Sequence, residues 1–189
     1  VPVLIQRRGM GQRLDWWAEI EAEQRAEGWE IIESEMEISP REDDSDEPVF
    51  EIAGLKITGS IDRVERHPEH GIRIVDFKTF AGYDASSKGL KSVEDYHLTK
   101  LRRDEGPEDF PDWMIASSSK GDERRWSNLQ LPLYKLAAAK KYPDQEVTVA
   151  YGTIGKAKSE VTLHSWPELE AGILRSAHDC ANGVIKSVL

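Results

Sequence analysis

Cysteine is nearly absent from the sequence, and its scarcity excludes several kinds of site. Cys180 is the only cysteine among 189 residues, so the chain can form no internal disulfide and no zinc or iron–sulfur site that needs several cysteines. We therefore expect no iron–sulfur cluster in this chain. A single free thiol is typical of the reducing cytoplasm, which is the expected location.

Long hydrophobic runs are absent as well. No apolar stretch approaches the roughly 18 residues that a bilayer-spanning helix needs, and no signal peptide opens the chain. The sequence therefore predicts a soluble protein.

The length of the chain fits one domain with a core of its own. We predict a single domain over residues 1–189. Residues 82–120 show little periodicity and are too long for an ordinary connection, so we interpret them as an insertion or lid. Because the chain begins at Val1 rather than at a methionine, we expect it to be a fragment of a larger protein.

Positive charge is in the minority, with 25 Lys and Arg against 35 Asp and Glu and a net charge of −10. Such acidity at first argues against a nucleic-acid partner. However, the first 50 residues carry 14 acidic and 5 basic residues, a net charge of −9, which leaves −1 for residues 51–189. Basic clusters occur in that second part, at Lys100, Arg102 and Arg103 and at Arg124 and Arg125. Net charge therefore does not exclude DNA as a partner.

The spacing of apolar residues predicts the order α-β-β-β-α-β followed by a C-terminal helix. Pro132 falls within the second predicted helix, so that helix should start near Leu131 or contain a kink. The helices are predicted over residues 12–26, 125–141 and 166–188, and the strands over residues 29–38, 50–65, 72–79 and 146–154.

Two acidic residues and a lysine stand in otherwise apolar predicted strands. Asp76 and Lys78 are two residues apart on the third strand, so both side chains leave the face opposite to Val75 and Phe77. A short turn between the second and third strands would bring Asp62 opposite a residue close to Asp76. Mg²⁺ binds one or two carboxylates and completes its shell with water and phosphate oxygens, and a lysine can stabilise charge on a reacting group. The pattern indicates a cation site with an adjacent ammonium group.

Each of these features also has an ordinary explanation. An Asp-x-Lys pair on a strand is by itself most often a solvated ion pair, although charges between apolar strand residues are costly unless they are paired or bind a cation. Gln130 and Tyr134 have the i, i+4 spacing of one helix face and can donate to phosphate or to a base. An ordinary amphipathic helix is the alternative for that pair. His97 lies in the insertion, and little in the sequence favours it as a metal ligand.

Three motifs together resemble a known family. They are G-S-I-D-R-V at residues 59–64, V-D-F-K-T at residues 75–79 and Q-L-P-L-Y at residues 130–134. In this order they are similar to the RecB-like branch of the PD-(D/E)XK nuclease superfamily, which includes the nuclease domains of RecB, AddA and AddB. The resemblance covers roughly residues 29–154. It implies an α/β (α+β) fold with a restriction-endonuclease-like core, in which helices flank a mixed sheet.

The resemblance implies roles for individual residues. Asp62 and Asp76 would bind the metal, with the backbone carbonyl of Phe77 as a further ligand, and Lys78 would be the catalytic lysine. The substrate-binding or supporting residues would be Gln130, Tyr134, Glu35, Arg63 and Thr79. For Glu35, an ion pair with a strand residue such as Arg63 is an equally good interpretation.

The function implied is that of a Mg²⁺- or Mn²⁺-dependent DNA nuclease. The resemblance favours an exonuclease module of a helicase–nuclease or of a double-strand-break repair and recombination protein, with DNA and a helicase domain or subunit as partners. The branch often has a metal-binding histidine on an N-terminal helix, but here no histidine precedes His67. That absence and the acidic first 50 residues support an alternative, a catalytically inactive nuclease-like module that binds DNA ends or a partner subunit.

Overall fold

The computed structural model describes residues 2–40, 49–79 and 92–189. The elements in chain order are α1 (Pro2–Glu27), β1 (Glu30–Glu37), β2 (Glu51–Ile52), β3 (Leu55–Lys56), β4 (Ser60–His67), β5 (Gly71–Lys78), α2 (Val93–His97), β6 (Leu98–Lys100), β7 (Ile115–Ser117), β8 (Glu123–Trp126), α3 (Gln130–Lys141), β9 (Val147–Ile154), β10 (Val161–Ser165) and α4 (Ala171–Val188).

A five-stranded mixed sheet with the order β1-β4-β5-β9-β10 forms the centre of the fold. Strands β5 and β9 are parallel, and the other neighbouring pairs are antiparallel. Helix α1 packs on one face of this sheet, where Trp17 meets Phe77 edge-on at 5.1 Å between ring centroids. Helix α3 packs on the other face, against β5 and β9, and contacts α4. The predicted fold class, a mixed sheet flanked by helices, is confirmed.

The β4–β5 hairpin carries the charged and apolar side chains in the arrangement that the strand periodicity predicted. Ile72, Ile74 and Val75 are fully buried on β5. The turn needs glycine at position 71, where φ is +73° and a Cβ atom would lie 2.5 Å from the carbonyl oxygen of Glu146. The hairpin therefore packs directly against the segment that leads into β9.

Helix α3 begins at Gln130, so Pro132 lies in its first turn. At that position the missing N–H of proline has no helical partner to lose. The expected start near Leu131 is therefore confirmed. The predicted helix over residues 125–141 is wrong at its start, since residues 125 and 126 belong to strand β8 (Glu123–Trp126).

Four further features differ from the prediction. The first helix begins at Pro2 rather than at residue 12. Residues 50–65 were expected as one strand, but they form the β2–β3 hairpin and then β4. Strand β10 was not predicted and extends the sheet beyond β9. The last helix begins at Ala171 rather than at residue 166, because Trp166 and Leu169 close a turn through a backbone hydrogen bond of 3.3 Å. Its buried face consists of the small residues Ala177, Cys180 and Ala181.

The described part of the insertion, residues 92–120, contains a short helix and two short strands, although its sequence shows little periodicity. It contains α2, β6 and β7, and a three-stranded sheet with the order β6-β8-β7 forms beside the main sheet. Residues 82–91 of the predicted lid lie outside the described residues. In the described ranges, no helix has both the length and the apolar character needed to cross a membrane.

Candidate active site

The two predicted metal-binding carboxylates lie on neighbouring strands. Arg63 of β4 pairs with Val75 of β5, and the next step of this antiparallel register brings Asp62 opposite Asp76. One carboxylate oxygen of Asp62 accepts a hydrogen bond of 2.7 Å from the backbone N–H of Phe77. The predicted pairing of Asp62 with a residue close to Asp76 is therefore observed.

Lys78 contacts the buried carboxylate of Asp76. The Lys78 Nζ atom lies 2.6 Å from Asp76 Oδ2, and the side chains are 24% and 3% exposed, respectively. Lys78 Nζ also donates to Gln130 Oε1 at 2.9 Å, while Gln130 Nε2 donates to Asp76 Oδ1 at 2.8 Å. The amide of Gln130 thus holds both members of the ion pair, and the Lys78 side chain remains partly exposed.

Burial raises the pKa of Asp76 above the ordinary value of an aspartate. The hydrogen bond and the charge of Lys78 oppose this shift, whereas the nearby negative charge of Asp62 adds to it. A buried carboxylate with a second negative charge beside it creates a local need for positive charge. A cation at this point would supply it.

Tyr134 extends the network towards β1. Its hydroxyl accepts a hydrogen bond from Gln130 Nε2 at 3.0 Å and donates to the backbone carbonyl of Ser60 at 3.0 Å. Ser60 Oγ in turn donates to Glu35 Oε2 at 2.9 Å. Glu35 has a positive φ of 55°, unusual for a residue other than glycine. Tyr134 is therefore linked to the Asp76–Lys78 pair through Gln130, and Glu35 is linked to Tyr134 through Ser60.

Two of the predicted supporting residues are placed differently. Arg63 lies on the opposite face of the sheet, 4.7 Å from the Phe77 ring centroid, and forms ion pairs with Glu21 and Glu65. The suggested Glu35–Arg63 ion pair is therefore wrong, because alternation along β4 turns the Arg63 side chain away from Asp62. Thr79 follows the end of β5 and is exposed.

Two residues near the network were not assigned to it from the sequence. Tyr151 of β9 pairs with Asp76 across the parallel ladder, and Lys78 Nζ lies 5.4 Å from the centroid of its ring. His97, at the end of α2, is 0% exposed and lies 3.0 Å from the Tyr151 hydroxyl. Burial lowers the pKa of His97 to about 4, and the charge of Lys78 adds to that effect. Tyr151 is 54 residues from His97 in sequence, so no local spacing could have indicated this contact.

The donor atoms suit a hard cation bound by few protein ligands. Apart from the Lys78 ammonium group 2.6 Å away, the buried Asp76 Oδ2 has no hydrogen-bond partner in the described ranges. Of the residues that the structure describes, no three His, Cys, Asp or Glu side chains are grouped as a metal site. Asp62 and Asp76 thus provide two carboxylates, which is the number that Mg²⁺ commonly takes from a protein while it keeps several waters.

The family comparison identifies the same region of the chain. The family model described as the PD-(D/E)XK nuclease superfamily matches residues 3–98, which is just over half of the sequence and includes Asp62, Asp76 and Lys78. No curated protein and no solved structure matches the chain.

Proposed function

Because the chain belongs to the PD-(D/E)XK nuclease superfamily, we propose that it is a metal-dependent nuclease that hydrolyses phosphodiester bonds in DNA. The observation that carries this proposal is the cluster of Asp62, Asp76 and Lys78 at neighbouring positions of β4 and β5, in which Gln130 bonds to both Asp76 and Lys78.

Each side chain has a role that its chemistry allows. Asp62 and Asp76 would hold Mg²⁺ or Mn²⁺, with the carbonyl of Phe77 as the further ligand that the family resemblance implies. When bound, such an ion activates water and withdraws charge from a phosphate oxygen. Lys78 presents its ammonium group beside Asp76 and stabilises the negative charge that develops on the phosphate during attack. Gln130 orients Asp76 and Lys78, and Tyr134 holds Gln130 in place through a hydrogen bond.

Within the superfamily, we propose the RecB-like branch, represented by RecB and AddB. The support is the placement of Gln130 and Tyr134 on the first turns of α3, where the amide contacts both Asp76 and Lys78. An exonuclease module of a helicase–nuclease, acting in double-strand-break repair with a helicase domain or subunit as partner, is the corresponding biological role.

DNA as the partner requires exposed cations near this site. Of the basic clusters in the sequence, Arg124 is buried and forms ion pairs with Asp95 and Asp122, so its charge is already neutralised within the fold. Lys100, Arg102 and Arg103 are largely exposed. They lie at and after the end of β6, which pairs with the strand that leads into α3. We assign contacts with the DNA backbone to this group.

The proposal is tested with Asp76→Asn, which removes the charge and keeps the shape of the side chain. Linear duplex DNA and single-stranded DNA are incubated with wild-type and variant protein in Mg²⁺ and in EDTA. The wild type should degrade DNA in Mg²⁺ alone, and the variant should lose at least about a hundredfold in rate, as expected for a group that acts on the reaction itself. A variant that degrades DNA at the wild-type rate would refute the assignment.

One observation favours the second candidate, an inactive nuclease-like module that binds DNA ends or a partner subunit. Helix α1 spans Pro2–Glu27 without a histidine, so in this chain it contributes no imidazole to a metal. This candidate predicts tight DNA binding that is independent of Mg²⁺, together with no hydrolysis by the wild type.

A further inference from the structure

His97 is completely buried beside the candidate active site, and both of its ring nitrogens are engaged. Nδ1 lies 2.9 Å from the backbone carbonyl oxygen of Asn128, and Nε2 lies 3.0 Å from the hydroxyl of Tyr151. The imidazole also packs against two rings, with centroid distances of 4.7 Å to Trp166 and 5.6 Å to Tyr151 and with ring planes within 25° and 9° of parallel, respectively. It therefore has one fixed position, and it could bind a metal only by giving up one of these hydrogen bonds.

The partners also fix the protonation of the ring. A carbonyl oxygen can only accept, so Nδ1 of His97 carries the hydrogen and donates to Asn128. Burial lowers the pKa of the ring and keeps it neutral at neutral pH, so Nε2 is an acceptor and the hydroxyl of Tyr151 donates to it. The direction of every hydrogen bond around the ring follows from these two points.

One branch of this arrangement leads to Gln130 through Asn128, whose backbone carbonyl accepts the Nδ1–H of the imidazole at 2.9 Å. The backbone carbonyl of His97 accepts hydrogen bonds from the N–H groups of Ser127 and Asn128, at 2.9 and 3.4 Å. The side-chain oxygen of Asn128 then accepts the backbone N–H of Gln130 at 2.8 Å. His97 thus holds the segment from which α3 starts, and the start of α3 determines where the Gln130 amide lies relative to Asp76 and Lys78.

The other branch leads to the ring beneath Lys78. Tyr151 lies next to Asp76 across the β5–β9 ladder, and its ring is 5.4 Å from Lys78 Nζ. The hydrogen bond from Tyr151 to His97 fixes the orientation of that ring. Two of the groups around the Lys78 ammonium are therefore connected to His97. The Tyr151 ring is bonded directly to the imidazole, and the Gln130 amide is connected through Asn128, which both the imidazole and the main-chain carbonyl of His97 contact.

We propose that His97 is a positioning residue for the nuclease reaction, which sets the relative placement of Gln130 and Lys78 through Asn128 and Tyr151. The effect of His97 on catalysis rests on the proposed function. His97 itself contacts neither the substrate nor the metal in this account.

Two substitutions separate positioning from simple packing. His97→Phe keeps the size of the ring and its stacking but removes both hydrogen bonds. His97→Asn leaves a cavity and loses the stacking, yet its amide can still donate to the Asn128 carbonyl from about the place of Nδ1. If His97 only fills space, the Phe variant should be the more active. If it positions Gln130, the Asn variant should be the more active.

The kinetic test uses linear DNA in Mg²⁺ at a temperature where each variant is fully folded. We expect kcat to fall at least tenfold in His97→Phe with KM unchanged within twofold, and His97→Asn to retain several times the kcat of His97→Phe. Val147→Ala, a core truncation at the far end of β9, controls for destabilisation alone and should keep the wild-type kcat. An Asn variant no more active than the Phe variant would overturn the proposal, as would equal kcat values for His97→Phe and Val147→Ala.

A measurement without catalysis keeps this inference separate from the proposed function. The N–H of Gln130 is protected by its hydrogen bond to Asn128. NMR gives the rate of hydrogen exchange of this N–H relative to that of Val149 in the core. This ratio shows how strongly His97 stabilises the start of α3. We expect the ratio of the two rates to rise at least tenfold in His97→Phe and to stay unchanged in Val147→Ala. An unchanged ratio in His97→Phe refutes the positioning role. A wild type that does not hydrolyse DNA refutes the proposed function instead.

Discussion

The amide of Gln130 makes the most consequential set of contacts in the candidate active site, and its removal gives a quantitative prediction. Gln130→Ala deletes the bond of 2.8 Å to Asp76, the bond of 2.9 Å from Lys78 and the bond of 3.0 Å to Tyr134. Asp76 Oδ1 then loses its side-chain donor in a nearly fully buried position, and Lys78 loses the acceptor that holds it beside Asp76.

The expected loss follows from the kind of bond removed. A hydrogen bond to a charged group contributes about 1.5–3 kcal/mol, and two of the three bonds are of this kind. If the loss of one such bond raises the activation free energy by its full value, the rate falls about 10- to 150-fold, because each 1.36 kcal/mol changes a rate tenfold. The fall should appear in kcat, since Gln130 orients groups rather than the bulk of the substrate.

The assay is the initial rate of release of nucleotides from linear DNA in Mg²⁺, measured over a range of DNA concentrations. Gln145→Ala is the matched control, because this glutamine is exposed in the turn that follows α3. The control should keep the wild-type kcat. Equal kcat values for the two variants would show that the network around Gln130 does not position the reacting groups.

Three further predictions concern the charges and the hydroxyl of the site. Burial raises the pKa of Asp76, so the folded state binds its proton more tightly than the unfolded state and loses stability as the pH rises through the ordinary carboxyl range. In EDTA, Asp76→Asn should therefore melt at a higher temperature than the wild type at pH 7, with a smaller difference at about pH 3. An equal or lower melting temperature of the variant at pH 7 would contradict this prediction. Tyr134→Phe removes one neutral hydrogen bond at each side of its hydroxyl and should lower kcat about fivefold, from roughly 1 kcal/mol, whereas an unchanged kcat would exclude Tyr134 from the network. Replacing Arg102 and Arg103 by Ala should weaken DNA binding and reduce the slope of log K against log salt by about 0.7–0.9 for each phosphate that the protein no longer neutralises, whereas Lys186→Ala on α4 should leave the slope unchanged.

Much of the candidate site was predictable because the residues concerned lie close together in the sequence. Alternation along β5 places Asp76 and Lys78 on one face, and the short hairpin to β4 places Asp62 opposite Asp76. Pro132 predicts the start of α3, because a proline is tolerated only in the first turn. These signals need a window of about twenty residues or less.

The remaining features depend on contacts between distant parts of the chain. His97 meets Asn128 and Tyr151 across 31 and 54 residues, and no periodicity reports such a pairing. Arg63 was assigned to the site by its motif, but β4 turns it to the face of α1, where Glu21 pairs with it. Strand β10 has only two apolar residues in alternation, Val161 and Leu163, so its pairing with β9 decides that it is a strand.

The most direct test of the central claim is calorimetry with Mn²⁺ in the absence of DNA. We predict that the wild type binds Mn²⁺ and that Asp62→Asn and Asp76→Asn each abolish the binding, whereas Glu168→Gln, an exposed acidic residue before α4, leaves it unchanged. Binding that persists in both aspartate variants would contradict the assignment of the metal to this site. A wild type that binds no Mn²⁺ would contradict a metal-dependent nuclease and favour the inactive DNA-binding module.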